Sequence, residues 1–486
     1  MEQFRKEKLD KLRSINIDPY PNKFEYTNTL TGIKNLYKDI QNEQVHEKTE
    51  RVCGRVMQAR HMGKAAFIHI MDYTDKLQIY VRKDSVGDEK YAQFTDYIDI
   101  GDFIGIEGKM FRTRTGELTV LANDWHLLSK SLRQLPEKWH GLRDVDTRYR
   151  HRYLDLISNP DIKQIFYKRA KIISSIREFL DKSDFLEVET PMIQYLAGGA
   201  LARPFKTHHN TYNLDLFLRI APELMLKTLV VGGIDRVYEI GKSFRNEGID
   251  RKHNPEFTMI EVYQAYADYK VMIKLCQDII TSTVKALEIN RKIKFEDKEI
   301  DILNFKVMSI SELSIQFLGA DMIESLRSGK IAELAKSKNL DITKDMADRK
   351  IFEHIFDELI QPKLTDPVFV TDYPMVFSPL AKNKKEDPFL VDRFELFIGG
   401  QEIANAYSEL NDPEEQRKRF GIQKESKSND SEDVHPMDEA FVTTLEHGMP
   451  PCGGLGIGID RLAMLLTEVD SIREVILFPL LKPEQI

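Results

Sequence analysis

Three short stretches of the 486-residue chain concentrate residue types that handle small charged molecules. The first, residues 236–263, runs RVYEIGKSFRNEGIDRKHNPEFTMIEVY. Arg245 stands at the end of an alternating, β-rich run, where its planar fork of donors would be held ready for a carboxylate or phosphate. Glu247, His253 and Asn254 follow in a polar loop with Gly248 and Pro255 as turn signals. Phe257, Met259, Glu261 and Tyr263 then share one face of a second run, because strand side chains repeat every two residues. A ring, a carboxylate and a phenol on one face suit a small-molecule site better than a dry core. The second stretch, residues 393–413, is RFELFIGGQEIANAYSELNDP. Asn405, Tyr407 and Glu409 alternate onto one face there, and Glu395 and Glu402 flank Gly399-Gly400. The third, Gly453–Asp460 with Arg461 behind it, reads as a strand running into an apolar helix.

Two familiar nucleotide signatures are absent. Gly241-Lys242-Ser243 follows a strand, but a P-loop needs a glycine where Arg236 stands. GGLGIGID is not the dinucleotide pattern G-x-G-x-x-G. Around the three stretches, Gly198-Gly199-Ala200 offers a loop where backbone can approach a ligand without a Cβ. Residues 218–223 (LRIAPE) read as a short strand that ends at Pro222 and carries Glu223.

These stretches need a scaffold. The length predicts two or three domains. With 42% hydrophobic and 30% charged residues, the composition is that of an ordinary soluble protein. Three cysteines far apart, with no C-x-x-C, argue against a disulfide framework or a cysteine zinc site. No apolar leader and no long uncharged run are seen, so a cytoplasmic protein without a membrane span is expected. The formal net charge of −8 means that any nucleic-acid surface must be a local basic patch.

Residues 1–50 open with a helical segment whose Arg5, Lys6, Lys8, Lys11 and Arg13 read as a solvated face rather than an RNA-binding arm. Residues 51–130 read as all strand: five β-rich runs in a span that suits a Greek-key barrel of OB type. Ile68 and Ile70 face one way there, Phe67 and His69 the other; Leu77, Ile79 and Val81 alternate against Gln78, Tyr80 and Arg82. A face of ring, amide and base is what stacking and edge-reading of unpaired bases requires, against the alternative that Phe67 is core. Residues 131–154, punctuated by Pro136, Trp139 and Gly141, form a basic connector in which some arginines are expected to pair across a domain interface. A catalytic domain is expected over residues 155–486, opening on a helix over residues 163–182. Residues 270–362 read as helices and connectors without identifiable chemistry, and residues 424–433 as a polar surface loop.

Arg245-Asn246-Glu247 closing one strand, with His253-Asn254-Pro255-Glu256-Phe257 entering the next, resembles motif 2 of the class II aminoacyl-tRNA synthetases. Phe185–Pro191 (FLEVETP), within residues 179–191, resembles motif 1, with Asp184 where a glycine is usual. Gly454–Arg461, within residues 453–466, resembles motif 3. The resemblance implies an α+β fold: an N-terminal OB-fold barrel, then a mixed, mainly antiparallel sheet flanked by helices. It implies that Arg245 contacts the ATP α-phosphate and the substrate carboxylate, and that Arg461 covers the adenine and reaches the γ-phosphate. Glu247, His253, Asn254 and Phe257 join them around ATP, and Glu395 and Glu402 hold Mg2+. It also implies a homodimer built through motif 1. Arg60, Phe67 and Gln78, with Glu117, have the spacing of the anticodon contacts in subclass IIb barrels.

Within that family the pocket is similar to the lysine-specific branch. There Gly199, Glu223, Arg245, Glu261, Tyr263, Asn405, Tyr407 and Glu409 would surround L-lysine, Glu223 at its α-ammonium, Tyr263 and Glu409 at its side-chain ammonium. The implied reaction joins lysine to tRNA(Lys) through a lysyl-adenylate. The competing readings are an aspartate or asparagine ligase, which would want a cation at Glu409, a stand-alone lysine ligase that modifies a protein, and a catalytically silent OB-fold RNA-binding protein.

Overall fold

The computed structural model describes residues 2–136, 142–196, 198–199, 202–343, 345–425 and 438–483. Trp139, Gly141 and Ala200 lie outside them, as does most of the polar stretch 424–433. The chain forms two units, Met1–Arg143 and Asp144–Ile486.

In the first unit five strands close into a barrel: β1 (Val45–Met62), β2 (Ala65–Met71), β3 (Lys76–Arg82), β4 (Phe103–Arg112) and β5 (Leu118–Ser129), in the order β1-β2-β3-β5-β4. The alternation is as read: Ile68, Ile70, Leu77, Ile79 and Val81 are buried inside. The region is not all strand. A helix over Asp88–Tyr97 separates β3 from β4. Its Tyr91 and Phe94 recur at helical spacing and join the barrel core, Phe94 meeting Trp125 edge-on at 5.6 Å. The first 50 residues hold two helices, α1 (Gln3–Ser14) and α2 (Leu30–Leu36). Leu12, Leu30 and Ile33 of these helices pack into the barrel core. Arg5 corrects the solvated-face reading: it is buried, and its guanidinium donates to the carbonyls of Ser131 and Ile100. Lys8 pairs with Asp99 at 2.7 Å.

The second unit is organised on an eight-stranded sheet. Its strands are β6 (Leu186–Glu187), β7 (Arg236–Phe244), β8 (Glu256–Ala265), β9 (Lys306–Ser309), β10 (Val368–Thr371), β11 (Arg393–Ile398), β12 (Gln401–Ser408) and β13 (Cys452–Gly458). Across the sheet the order is β9-β10-β11-β12-β13-β8-β7-β6, and only the two outermost pairs are parallel. One face is covered by α3 (Ile162–Asp181), α4 (Tyr269–Ala286) and α5 (Ile459–Thr467), through residues such as Ile172, Ile176, Cys276, Ile280 and Leu462. Each fully buried aliphatic side chain there contributes about 1.5–3 kcal/mol. Strand parity then sends Ile260, Val262, Ala404 and Ala406 into this core and leaves Glu261, Tyr263, Asn405 and Tyr407 for the opposite face.

Three further expectations can be set against the structure. Arg148 and Arg152 of the basic connector find partners inside one unit. They lie within the second unit, where Arg152 pairs with Asp155 and donates to the carbonyls of Arg473 and Leu477, while Arg148 pairs with Asp155 and Glu474. Residues 270–362 are not all helix and connector: they contribute a β-hairpin (Lys292–Phe295 with Lys298–Asp301) and the edge strand β9. Asp184, where a glycine is usual, does adopt the left-handed conformation (φ 59°) that favours glycine.

Candidate active site

The open face of the sheet bears a cavity of about 810 Å³. It is lined by Gly199, Glu223, Arg245, Glu247, His253, Asn254, Phe257, Glu261, Tyr263, Glu395, Glu402, Asn405, Tyr407, Glu409 and Arg461. Every residue expected at the ATP, metal and amino-acid sites therefore comes to one cavity, drawn from five segments of sequence.

Glu223 arrives differently from the reading above. The strand stops at Leu218, and Glu223 opens a helix, Glu223–Val231, with Pro222 just before it. Proline is tolerated at a helix start because the N–H it lacks would be unpaired there, and an acid in the first turn is favoured by the helix dipole. Glu223 is buried, accepts a hydrogen bond from the Tyr407 hydroxyl at 2.8 Å and is 2.5 Å from Lys227 Nζ, one turn on. Lys227 also pairs with Glu409. Gly199 has a φ of +88°, and a Cβ there would lie 3.0 Å from that of Glu223, so glycine serves both conformation and close approach.

At this end of the cavity burial dominates the electrostatics. It pushes the Glu261 carboxyl up to about 8, with Glu223 adding repulsion. Tyr263 donates to Glu261 at 3.0 Å. Burial likewise raises Glu409, which Lys227 opposes; Glu409 Oε1 has no hydrogen-bond partner among the described residues. A Cβ on Gly454 of β13 would fall 1.9 Å from that oxygen and 2.6 Å from the Tyr263 ring. Glycine at 454 is thus what lets two polar side chains reach the pocket floor. Gly453 has a different role, admitting Met272 of α4 against the sheet.

At the other end, Arg245 lies with its guanidinium carbon 5.0 Å from the centre of the Phe257 ring, and its Nε is buried without a partner among the described residues. Burial lowers its pKa, so it is a desolvated cation facing a cavity. Arg461 follows β13 at the start of α5. Its neighbour Asp460 is engaged elsewhere, with Arg169 at 2.5 Å and the Thr258 amide. Arg461 instead donates to the Glu402 carbonyl at 2.9 Å and meets His253 Nε2 at 3.2 Å. Asp250, 2.8 Å from His253 Nδ1, fixes the ring and leaves Nε2 as the acceptor. Asn254 is buried, and its amide donates to the Glu256 carbonyl within the loop.

Glu395 and Glu402 flank a tight turn in which Gly399 and Gly400 have φ of +63° and +77°. Glu395 accepts from Tyr373 at 2.8 Å and pairs with Arg393, which also donates to Asn405 at 3.1 Å. A bulge after Leu396 pairs Glu402 with Phe397 but Asn405 with Glu395, so residues three apart both line the cavity. Burial raises the Glu395 carboxyl to about 7, with Glu402 repelling it. Asp357, from the helix Asp348–Leu359, is raised to about 6 by burial and by Glu353, Glu358 and Glu402. Glu395, Glu402 and Asp357 thus set carboxylates around one cavity, and carboxylate oxygens suit a hard cation; among the described residues no three such groups are close enough to hold one by themselves. Arg349, Glu353 and Asp357 line the cavity, so residues 270–362 do contribute to the site, against the expectation.

Lys227, Arg393, Tyr373 and Asp357 were not anticipated. Arg393 was findable, since it stands two residues before Glu395 on one strand face. Lys227 was hidden by reading residues 218–223 as strand, because only a helix puts it beside Glu223. Gly241-Lys242-Ser243 lies inside β7 rather than after it, and a Cβ on Gly241 would lie 2.2 Å from the Arg219 guanidinium, so its glycine is structural.

In the first unit, Phe67 is partly exposed and stacks on Tyr80 at 4.2 Å, outside the barrel core. Arg60 is its cross-strand partner. Gln78, on the next strand, accepts from Thr119 at 2.8 Å, and Glu117 is exposed at the start of the run into β5. The four expected base-contacting residues share one region of the barrel, and Tyr80 adds a ring that parity had already placed on that face.

Comparison with known proteins agrees with this geometry. Residues 144–482 match the model for tRNA synthetases class II (D, K and N), and residues 50–128 that for an OB-fold nucleic acid binding domain. Among curated relatives, the lysine–tRNA ligase of Pelotomaculum thermopropionicum is 51% identical over 99% of this chain and 94% of its own length. Those of a Thermoanaerobacter species and of Bacillus cereus are each 48% identical over 99% of this chain, covering 96% and 97% of theirs. The chain belongs to the class II tRNA synthetases of the D, K and N family.

Proposed function

We propose that the protein joins L-lysine to tRNA(Lys), using ATP to form a lysyl-adenylate and releasing AMP and pyrophosphate. The observation that carries this reading is the amino-acid end of the cavity. Glu223, Glu261 and Glu409 converge there, and Glu409 Oε1 is buried without a hydrogen-bond partner among the described residues. Glu223 takes the α-ammonium, and Glu409 with Tyr263 takes the side-chain ammonium. Gly199, Asn405 and Tyr407 shape the space between. Arg245 receives the substrate carboxylate and the α-phosphate together, so nucleophile and target meet with little freedom left to lose. Phe257, Glu247 and Asn254 hold the adenine side, and His253 and Arg461 the phosphate tail.

The Glu395 and Glu402 carboxylates fit Mg2+, which keeps oxygen ligands and bridges protein carboxylates to phosphates. When bound, the ion would neutralise the triphosphate. The Phe67–Tyr80 stack with Arg60, Gln78 and Glu117 supports reading of the anticodon on the barrel. Leu186, Ile193 and Tyr195 around motif 1 are exposed, which supports a homodimer through that segment. No helix among the described residues is long and apolar enough to cross a membrane; we place the enzyme in the cytoplasm with its tRNA.

The test is ATP–pyrophosphate exchange with a panel of amino acids. Lysine alone should support exchange. Exchange driven by aspartate or asparagine, or independent of any amino acid, would refute the reading. Phe67→Ala should leave lysine-dependent exchange intact and raise the KM for tRNA.

A further inference from the structure

Lys227 has no part in the scheme above, yet it is joined to both of its key carboxylates. It lies one helical turn after Glu223 and is fully buried. Its Nζ is 2.5 Å from Glu223 Oε1 and in ion-pair contact with Glu409 Oε2. Glu223 and Glu409 line the cavity; Lys227 does not. The ammonium therefore stands behind the wall, outside the space a substrate would take. Burying it costs several kcal/mol unless it is paired, and here two carboxylates pair it. Each of those carboxylates has a second oxygen, and that of Glu409 is buried without a partner among the described residues.

We propose that Lys227 is a positioning residue of the amino-acid site: it clamps Glu223 to Glu409 from behind and lowers the pocket's charge to the value a substrate with two ammonium groups requires. The proposal rests on the lysine reading given above. When ionised, Glu223, Glu261 and Glu409 supply three negative charges, and Lys227 returns one. Two remain, one for each ammonium, while the substrate carboxylate is met by Arg245. With Lys227 in place Glu261 already holds a proton below about pH 8 in the empty pocket; without it a second carboxyl takes up a proton, and lysine must displace both. The other titratable groups facing this cluster are Tyr263, Tyr407, Cys452 and Arg219. Arg245 faces Glu261 as well; of these groups Arg219 and Arg245 are cations, Arg219 held by Glu239 and Arg245 left for the substrate carboxylate.

The test is Lys227→Met, of similar length and without charge, read in lysine-dependent exchange between about pH 6.5 and 8.5 beside the unmodified enzyme. The lysine KM is expected to rise about 100-fold at the lower pH. It should fall back as pH rises, more steeply than in the unmodified enzyme, because the displaced proton is then held less. The KM for ATP should move by less than about twofold, which a general loss of structure would not allow. Lys227→Met combined with Glu409→Gln should bind lysine better than Glu409→Gln alone, since no ammonium is left short of a partner. An unchanged lysine KM and pH slope, or lysine and ATP KM values rising together, would overturn the clamp. If Lys227→Met does not fold, the double variant decides: lysine binding no better than that of Glu409→Gln overturns it. If the unmodified enzyme shows no lysine-dependent exchange, the functional reading fails, and the clamp falls with it.

Discussion

The two ends of the cavity are built on opposite plans. At the amino-acid end, the charges are buried and already paired inside the protein: Glu223 with Tyr407 and Lys227, Glu261 with Tyr263, Glu409 with Lys227. At the nucleotide end the partners are missing or loose. Arg245 keeps an unpartnered Nε, and Arg461 is held by one carbonyl and an imidazole nitrogen, with the nearest carboxylate oxygen, Glu402 Oε2, at 3.5 Å. A small rigid-ended substrate can be matched by fixed partners, which also reject the wrong ligand by leaving a buried charge unpaired. A flexible triphosphate is better met by cations that stay free until it arrives.

Substitutions at the two ends should therefore fail differently. The largest loss is expected from Arg245→Ala, which removes the cation that we propose both substrates share. Exchange should fall by about 1,000-fold or more, the scale of an arginine that stabilises a transferring phosphoryl group. A similar loss with only the ATP KM changed would put Arg245 at the nucleotide alone. Glu409→Gln comes next: kcat/KM for lysine should fall by about 100-fold or more with the ATP KM little moved, because a buried ammonium loses its partner. Gly454→Ala pushes a methyl against Glu409 and Tyr263, an overpacking that costs about 1–3 kcal/mol, and should raise the lysine KM about ten- to hundredfold. It is silent if the pocket floor can yield.

The pH dependence is a smaller effect and belongs to one end only. Glu261 sits near 8, well above the usual carboxylate range, so below that pH it is protonated in the empty pocket. An arriving ammonium favours its ionised form. Lysine binding then releases a proton, and the lysine KM should fall as pH rises toward 8 by at most about tenfold per unit. Glu261→Gln should flatten this slope, and an unchanged slope would move the titration to another group. His253→Ala should be mildest, about threefold on the ATP KM, since His253 is exposed and one of several residues proposed at the phosphates.

Much of this site was legible because it lies on strands. Period-two alternation in 256–265 and 401–408 puts Glu261, Tyr263, Asn405 and Tyr407 on one face without any fold in hand. The barrel's inward and outward residues followed from the same rule. What failed involves elements whose period the sequence disguises. Pro222 after an apolar run reads equally as a strand end and as a helix start, and choosing the strand hid Lys227. The bulge that brings Glu402 beside Asn405 depends on pairing with β11, which no local pattern shows. Asp88–Tyr97 is short and charged, and its two core aromatics gain meaning only against Trp125. Asp357 sits on a helix whose apolar stripe announces core packing and says nothing of its other face.

The central claim is that the amino-acid end is charged to receive an ammonium at each end of its ligand. Pyrophosphate exchange with norleucine, which keeps the α-amino group and chain but lacks the terminal ammonium, tests it directly. The account predicts that norleucine is activated at least about 100-fold less efficiently than lysine, since Glu409 is left buried and unmatched. Activation of norleucine within a few-fold of lysine would contradict it.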